Sequence, residues 1–416
     1  MKIKAILCII FLILTNVNWY TKWQGGMFMT RRHFGVIVGG ILLLVIAMGI
    51  SRFAFTPILP YMREDVGFTF QEASYLASSN YIGYFIGALW AGFLYKRRKG
   101  ILIWSVIINV ASVLFMGIID VFSIWLALRL IAGITGGLIF VLTSSVIMDY
   151  LAHQALSKWS GYLFSGIGLG IALSGLFVPF LANRVMWQGA WIGLGILSAV
   201  FVIFIHILWR RVEVPNLEKV EKSAETRVTT GFMPWLIVAY GFEGLGYIIT
   251  GTFLVDIIHH IPELTAYAGY SWVIVGLAAV PSAPVWTLLL EKTSAMTLLV
   301  SAYVLQIIGI VLPVFSQTVP SVLVSSFLYG LTFVGIVTLT TAYARQRYPK
   351  QSGLVVSLLT SVYAFGQIIG PLFAGKLVAV YEDQLVALAF AGIMVTVALV
   401  VLITGRIVTV RQEALT

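Results

Sequence analysis

The chain holds one cysteine, Cys8, five histidines, and charged residues at only 10% of its length, where a soluble domain carries about 25%. A single thiol excludes an intrachain disulfide and any cysteine-based metal cluster. No G-x-x-x-x-G-K-[ST] loop is present to cradle a nucleoside triphosphate, and no H-E-x-x-H helix to hold zinc. No Ser-His arrangement or pair of buried aspartates suggests a protease, and no repeated pore-loop sequence suggests a channel filter. The expectation is therefore no metal, no cofactor, no catalytic residue and no enzyme activity.

What is present is apolar. Hydrophobic residues make up 60% of the chain. From Phe34 onward they gather into twelve runs, at 34–58, 73–95, 100–119, 121–148, 159–182, 187–209, 234–257, 269–290, 294–315, 319–345, 353–380 and 384–405. Each reaches or approaches the roughly 20 residues that a helix rising about 1.5 Å per residue needs to cross about 30 Å of hydrocarbon. The predicted fold class is an all-α integral membrane protein of twelve transmembrane helices, with the lipid bilayer as its solvent.

The few charges are sorted by side. Eighteen Lys and Arg fall in alternate loops and at the termini, among them Arg31, Arg32, the Lys96-Arg97-Arg98-Lys99 run, Arg210, Lys219, Arg345 and Arg411. The opposite loops hold Arg63, Arg184 and Lys376 beside Glu64, Asp65, Asp120, Asp256, Glu263, Glu382 and Asp383. The positive-inside rule places both termini in the cytoplasm of a plasma-membrane protein, and an even number of spans agrees. The net charge of +10 thus reflects topology, and no nucleic-acid partner is expected.

Ahead of the first run, Ala5 to Leu14 is apolar for only ten residues behind Lys2 and Lys4, which suits a signal-peptide core better than a span. A cleaved signal would deliver Arg31 and Arg32 to the outside, against the charge pattern. Gly25-Gly26 can be encoded by a ribosome-binding sequence just upstream of Met29. Residues 1–28 are accordingly read as untranslated leader or a non-essential extension.

The twelve runs repeat. At an offset of 197, Gly133 and Thr135 match Gly330 and Thr332, and Leu142-Thr143 matches Leu339-Thr340. At an offset of 200, Gly166, Gly170 and Gly175 match Gly366, Gly370 and Gly375. At 196, Trp90, Leu94 and Lys96 fall on Trp286, Leu290 and Lys292. Near-constant offsets predict two related six-helix bundles, 29–209 and 234–416, joined by a cytoplasmic linker at 210–233.

Local motifs narrow the type. LRLIAGITGG in the fourth run resembles an R-x-x-x-G motif through Arg129 and Gly133. AGFLYKRRKG in the loop after the second run resembles G-x-L-x-D-R-x-G-R-K through Gly92, Leu94 and Arg97, with Lys96 in place of the aspartate. The chain resembles the major facilitator superfamily from about residue 30 onward. GISRFAFTPILPYM in the first run and YGFEGLGYIITGTFLV in the seventh look like its YbfB/YjiJ branch. The resemblance implies two bundles working by alternating access, with helices 1, 4, 7 and 10 lining the pathway, and a small-molecule substrate.

Three ionisable residues lie deep within runs: Arg52 in the first, Arg129 in the fourth and Glu243 in the seventh. Each costs about 2.5–3.5 kcal/mol at a helix centre and needs a partner or a wet cavity. All three fall on helices that the resemblance assigns to the pathway. By helical rise, Arg52 lies about 27 Å from the inner end of its run and Glu243 about 14 Å from that of its own. Glu243, the one acidic residue near mid-depth, is the expected proton-coupling group. Arg52, Arg129, Tyr247 and Gln367 are expected at the substrate, the two arginines favouring an organic anion; Tyr81, Tyr84, Phe242, Tyr247 and Tyr363 near Glu243 would instead suit efflux of amphipathic or cationic compounds. Lys96, Arg97 and Asp149 are expected to form a structural latch at the inner end. Plainer roles stand beside these: Arg129 bonding backbone carbonyls, Arg52 snorkelling to headgroups, Glu243 bridging a close helix contact. Trp104, Trp187, Trp191, Trp209 and Trp235, near run ends, read as interface anchors.

The function expected is a monomeric secondary active transporter of a small organic solute, proton-coupled, with an organic anion first. Proton-driven efflux of amphipathic or cationic compounds is the alternative, and a membrane receptor or sensor on the same fold the alternative class.

Overall fold

In the computed structural model, residues 31–94, 98–210, 231–348 and 351–415 are described. The expected leader 1–28 and most of the expected linker lie outside them.

Proline and glycine set the shape of the first helix. Helix α1 runs from Arg31–Leu44 through a π-helical stretch, Val45–Ile50, and an irregular turn into Phe55–Val66. Pro57 has no N–H to donate and crowds the carbonyl four residues back. Upstream of it the ladder shifts: Ser51 and Phe53 donate five residues back, Thr56 three. Gly67 then takes a left-handed φ of 81° and closes the helix on the Arg63 carbonyl, a conformation open to glycine without a Cβ penalty. Thr69 and Glu72 form a reciprocal capping box that starts α2, Phe70–Ala91.

The remaining helices are α3 (Arg98–Met116), α4 (Phe122–His153), α5 and α6 (the two parts of Ser165–Trp209, divided by non-helical backbone at Val185 and Met186), and α7 (Met233–His259). They continue through α8 (Ala268–Ala279 with Ser282–Leu290), α9 (Ala295–Phe315), α10 (Val319–Arg347), α11 (Ser352–Tyr381) and α12 (Leu385–Leu415). Among the described residues, ten helical segments are long and apolar enough to cross a membrane. One of these, Trp159–Trp209, contains both α5 and α6. Helix α2 has the length but falls outside the ten; Gln71, Glu72, Asn80 and three serines lower its hydropathy.

The packing is doubled. In the first bundle α2 and α3 pack on α4, α1 on α5 and α6, and α3 on α6. In the second, α8 and α9 pack on α10, α7 on α11 and α12, and α9 on α12. The bundles meet through α1 with α7, α2 with α11 and α5 with α8. Glycines permit the close approaches: Gly168 and Gly276 put α5 and α8 backbone to backbone, and Gly170 lies on Gly49 of α1. Gly366 and Gly370 bring α11 onto α7 in the same way. Because successive helices run in opposite directions, the turns after Val66, Met116 and His259 share one end of the molecule, here called the far end, and the Arg98, Trp209 and Arg347 ends share the other, here called the basic end.

Candidate functional site

The irregular turn of α1 builds the centre of the molecule. Its displaced ladder leaves carbonyls for another donor, and Arg129 of α4 supplies it. Arg129 Nη1 donates to the Ser51 carbonyl at 2.9 Å and Nη2 to the Arg52 carbonyl at 3.5 Å. Its guanidinium also lies 4.6 Å over the Phe55 ring. Asn80 of α2 donates to the Arg129 carbonyl at 2.9 Å. Arg129 therefore bonds helix backbone, the plainer of the roles weighed for it, and holds α1 in the form that aims Arg52 inward.

Arg52 is 4% exposed. Its Nη2 donates to Gln367 Oε1 of α11 at 2.7 Å, and Gln367 Nε2 donates to the Tyr247 hydroxyl of α7 at 2.8 Å. Three rings surround the guanidinium: Phe53 at 5.2 Å, Tyr81 at 4.8 Å and Tyr84 at 4.5 Å. Among the described residues no carboxylate pairs with Arg52 or Arg129. Cation–π contacts, worth about 2 kcal/mol when desolvated, offset part of the cost of burying the charge. Arg52, Tyr247 and Gln367, singled out from the sequence, are thus brought together across the two bundles.

Glu243 is fully buried and turns away from that group. Gln306 of α9 donates to its Oε1 at 3.2 Å. Its Oε2 has no hydrogen bond, and the Tyr363 hydroxyl lies beside the carboxyl. Tyr240, Tyr247, Tyr303, Tyr329 and Tyr363 all lie within electrostatic range of it. Tyr247 and Tyr363 interact with both Arg52 and Glu243, so they separate the cation from the acid. Four of these rings and Phe333 form one near-parallel stack. Centroid separations run Tyr240–Tyr363 4.3 Å, Tyr363–Tyr247 5.2 Å, Tyr247–Phe333 6.2 Å and Phe333–Tyr329 5.5 Å.

A second ionic group closes the far end. Arg63 of α1 bonds Asp256 of α7. Asp256 has no exposed surface, although the loop tally set it among the outer charges. His260 Nδ1 donates to the Asp256 backbone carbonyl at 2.7 Å, and His259 pairs with Glu64 at 2.8 Å. Below this, Phe70 stacks on Phe253 at 4.1 Å, Thr56 donates to the Gly251 carbonyl at 2.6 Å, and the Tyr81 hydroxyl meets Thr252 at 2.7 Å. All of these join the two bundles in the far half.

At the basic end, Asp149 accepts from Arg98 at 3.0 Å; Lys96 and Arg97 lie outside the described residues. Three of the five tryptophans expected as interface anchors are buried within the protein. Trp187, Trp191 and Trp209 are buried and donate to Asp65, the Met62 sulfur and the Val36 carbonyl. The compact α5–α6 turn and the end of α6 pack these rings against α1, so nearness to a run end is no guide to their surroundings. Trp104 is 65% exposed.

Sequence reasoning missed Gln306 and Asp256. Helix α9 was not among the pathway helices, yet its Gln306 donates to Glu243. A signal existed: Gln306 lies 197 residues after Asn109, the offset of the α4–α10 repeat. Asn109 is equally buried and bonds Ala132 and Thr135 of α4. A lone amide at the same place in two apolar runs marks a site facing a bundle interior.

Two six-helix bundles, sealed at one end around an arginine of one and an acid of the other, define a multi-pass membrane transport protein. The chain matches the family described as "Uncharacterised MFS-type transporter YbfB" over residues 44–403. It is 22% identical over 386 residues to the quinolone resistance protein NorA of Staphylococcus aureus (strain COL), covering 90% of this chain and 96% of that one. It is 23% identical over 389 residues to the uncharacterized MFS-type transporter YcaD of Escherichia fergusonii, covering 89% and 95%. The crystal structure of the POT family transporter PepTSo shares the fold, with a TM-score of 0.72, 14% identity, and coverage of 93% of this chain and 99% of that one. The chain belongs to the YbfB-type family of major facilitator transporters.

Proposed function

We propose that the protein is a proton-coupled carrier of a small organic anion, working by alternating access in the plasma membrane as a monomer. One observation carries this reading: Arg52 is a buried cation held by a neutral amide, while a separate buried acid, Glu243, keeps one oxygen without a hydrogen bond. An anion at Arg52 and a proton at Glu243 each offset the cost of a buried charge. Taken up together they leave the buried charge unchanged; exchanging one for the other would alter it twice over. Symport is therefore the favoured mode. Arg129 positions Arg52 by way of the α1 backbone, Gln367 holds the Arg52 guanidinium while the site is empty, and Tyr247 lies beside them at the substrate group. The basic end is read as cytoplasmic by the positive-inside rule, so the conformation sealed at Arg63–Asp256 is closed to the outside.

Efflux of amphipathic or cationic compounds is the second reading. It is favoured by the five-ring stack beside Glu243 and by the similarity to the quinolone resistance protein of Staphylococcus aureus. A solute-uptake panel on cells with and without the protein, at two external pH values, separates the two. Acid-stimulated accumulation of an organic anion supports the first reading. Acid-stimulated loss of a cationic dye, with no anion uptake, overturns it in favour of the second. A reporter in Lys219–Arg227 should be cytoplasmic and one after His260 external.

A further inference from the structure

The amide that meets Arg52 comes from the opposite bundle. Its Oε1 receives Nη2 end-on at 2.7 Å, as a carboxylate oxygen would, and its nitrogen is held by the Tyr247 hydroxyl at 2.8 Å. An amide presents one oxygen and no charge. A guanidinium offers a fork matched to two oxygens, and its bonds to an anion are about twice as strong as those to a neutral acceptor. The mismatch is visible: Arg52 Nε is buried and unpaired. We propose that Gln367 occupies on Arg52 the place of a substrate carboxylate, so that the solute is a carboxylate monoanion with an apolar or aromatic body that binds by displacing the amide. The proposal rests on the anion reading above and goes further in naming the charge, the chemical class and the event.

The single charge follows from counting cations. Arg129 is committed to the Ser51 and Arg52 carbonyls, which leaves one guanidinium for the solute. The body follows from the walls: Phe53, Tyr81 and Tyr84 lay ring faces around the guanidinium, and the Tyr81 hydroxyl is already engaged with Thr252. The displacement has a mechanical result. Arg52–Gln367 ties α1 to α11, next to the Ser78 bond to the Ile368 carbonyl and the Tyr81–Thr252 bond, both of which also cross between bundles. A solute that takes Arg52 from Gln367 cuts the innermost of these ties, so binding weakens the far-end seal from within.

The test is calorimetric titration of the purified full chain with benzoate, an aromatic monocarboxylate. Wild type should bind, and Arg52→Gln should lose about tenfold or more, the worth of a charge-assisted bond. Gln367→Leu removes the competitor and should bind as tightly as wild type or more tightly. Gln367→Glu supplies a built-in anion and should bind about tenfold or more weakly. If Gln367→Glu fails to fold, the Leu variant alone still decides. A loss in Gln367→Leu as large as in Arg52→Gln would make Gln367 a direct ligand and overturn the displacement, leaving the anion reading intact. No benzoate binding by a folded wild type, even at millimolar concentration, would overturn this inference, and the uptake panel would then decide the anion reading separately.

Discussion

Asp256→Asn should open the far end. The substitution keeps the shape of the side chain and its acceptor oxygen but removes the charge that Arg63 meets. A hydrogen bond to a charged group contributes about 1.5–3 kcal/mol, and a neutral one about half as much. Arg63 keeps 14% of its side chain exposed, so solvent screens the pair slightly and the lower part of that range applies. A loss of about 0.8 kcal/mol changes the closed-to-open ratio about fourfold. A far-open state populated at about 1% would rise to about 4%. Spin labels at Val66→Cys and Tyr267→Cys, in a Cys8→Ser background, would read this by pulsed electron paramagnetic resonance. Both positions are exposed at the far end, one on each bundle. The variant should gain a longer-distance population that the parent lacks. An unchanged distance distribution would show that the Arg63–Asp256 pair does not hold the seal.

Arg129→Leu should unfold at a distinctly lower temperature in detergent, because it strands the Ser51 and Arg52 carbonyls at about 1–3 kcal/mol each; an unchanged melting curve would assign those carbonyls another donor. Gly276→Val should abolish transport, since its Cβ would meet the Ala172 nitrogen and the Gly168 carbonyl of α5, whereas Leu277→Val, one residue on and 57% exposed, should transport normally.

Much of the fold was legible because lipid imposes a length on every span and a charge bias on every loop. The runs beginning at 121 and 319 correspond to α4 and α10 within about five residues, whereas the run expected at 34–58 continues in α1 to Val66. Finer features depended on contacts between distant segments. Pro57 announces a disturbance in α1, but only the fold shows that Arg129 answers it. Glu243 stood out because an acid within an apolar run is costly anywhere. That it turns to Gln306, away from Arg52, depends on the rotation of α7 against α9 and α12, which a nearly uniform apolar helix does not encode. Asp256 lies near the end of its run, where depth and surface look alike in one dimension. The ring stack joins residues of α7, α10 and α11 that no spacing rule connects.

The central claim is that Glu243 binds the coupled proton. Proteoliposomes holding wild type or Glu243→Gln, loaded and assayed with the solute that the uptake panel identifies, test it directly. Wild type should accumulate the solute when a pH gradient is imposed and should exchange labelled for unlabelled solute without one. The Gln variant, fixed in the uncharged form, should keep the exchange and lose the accumulation. Accumulation by the Gln variant with an unaltered pH dependence would contradict the account and leave Glu243 a bridge to Gln306.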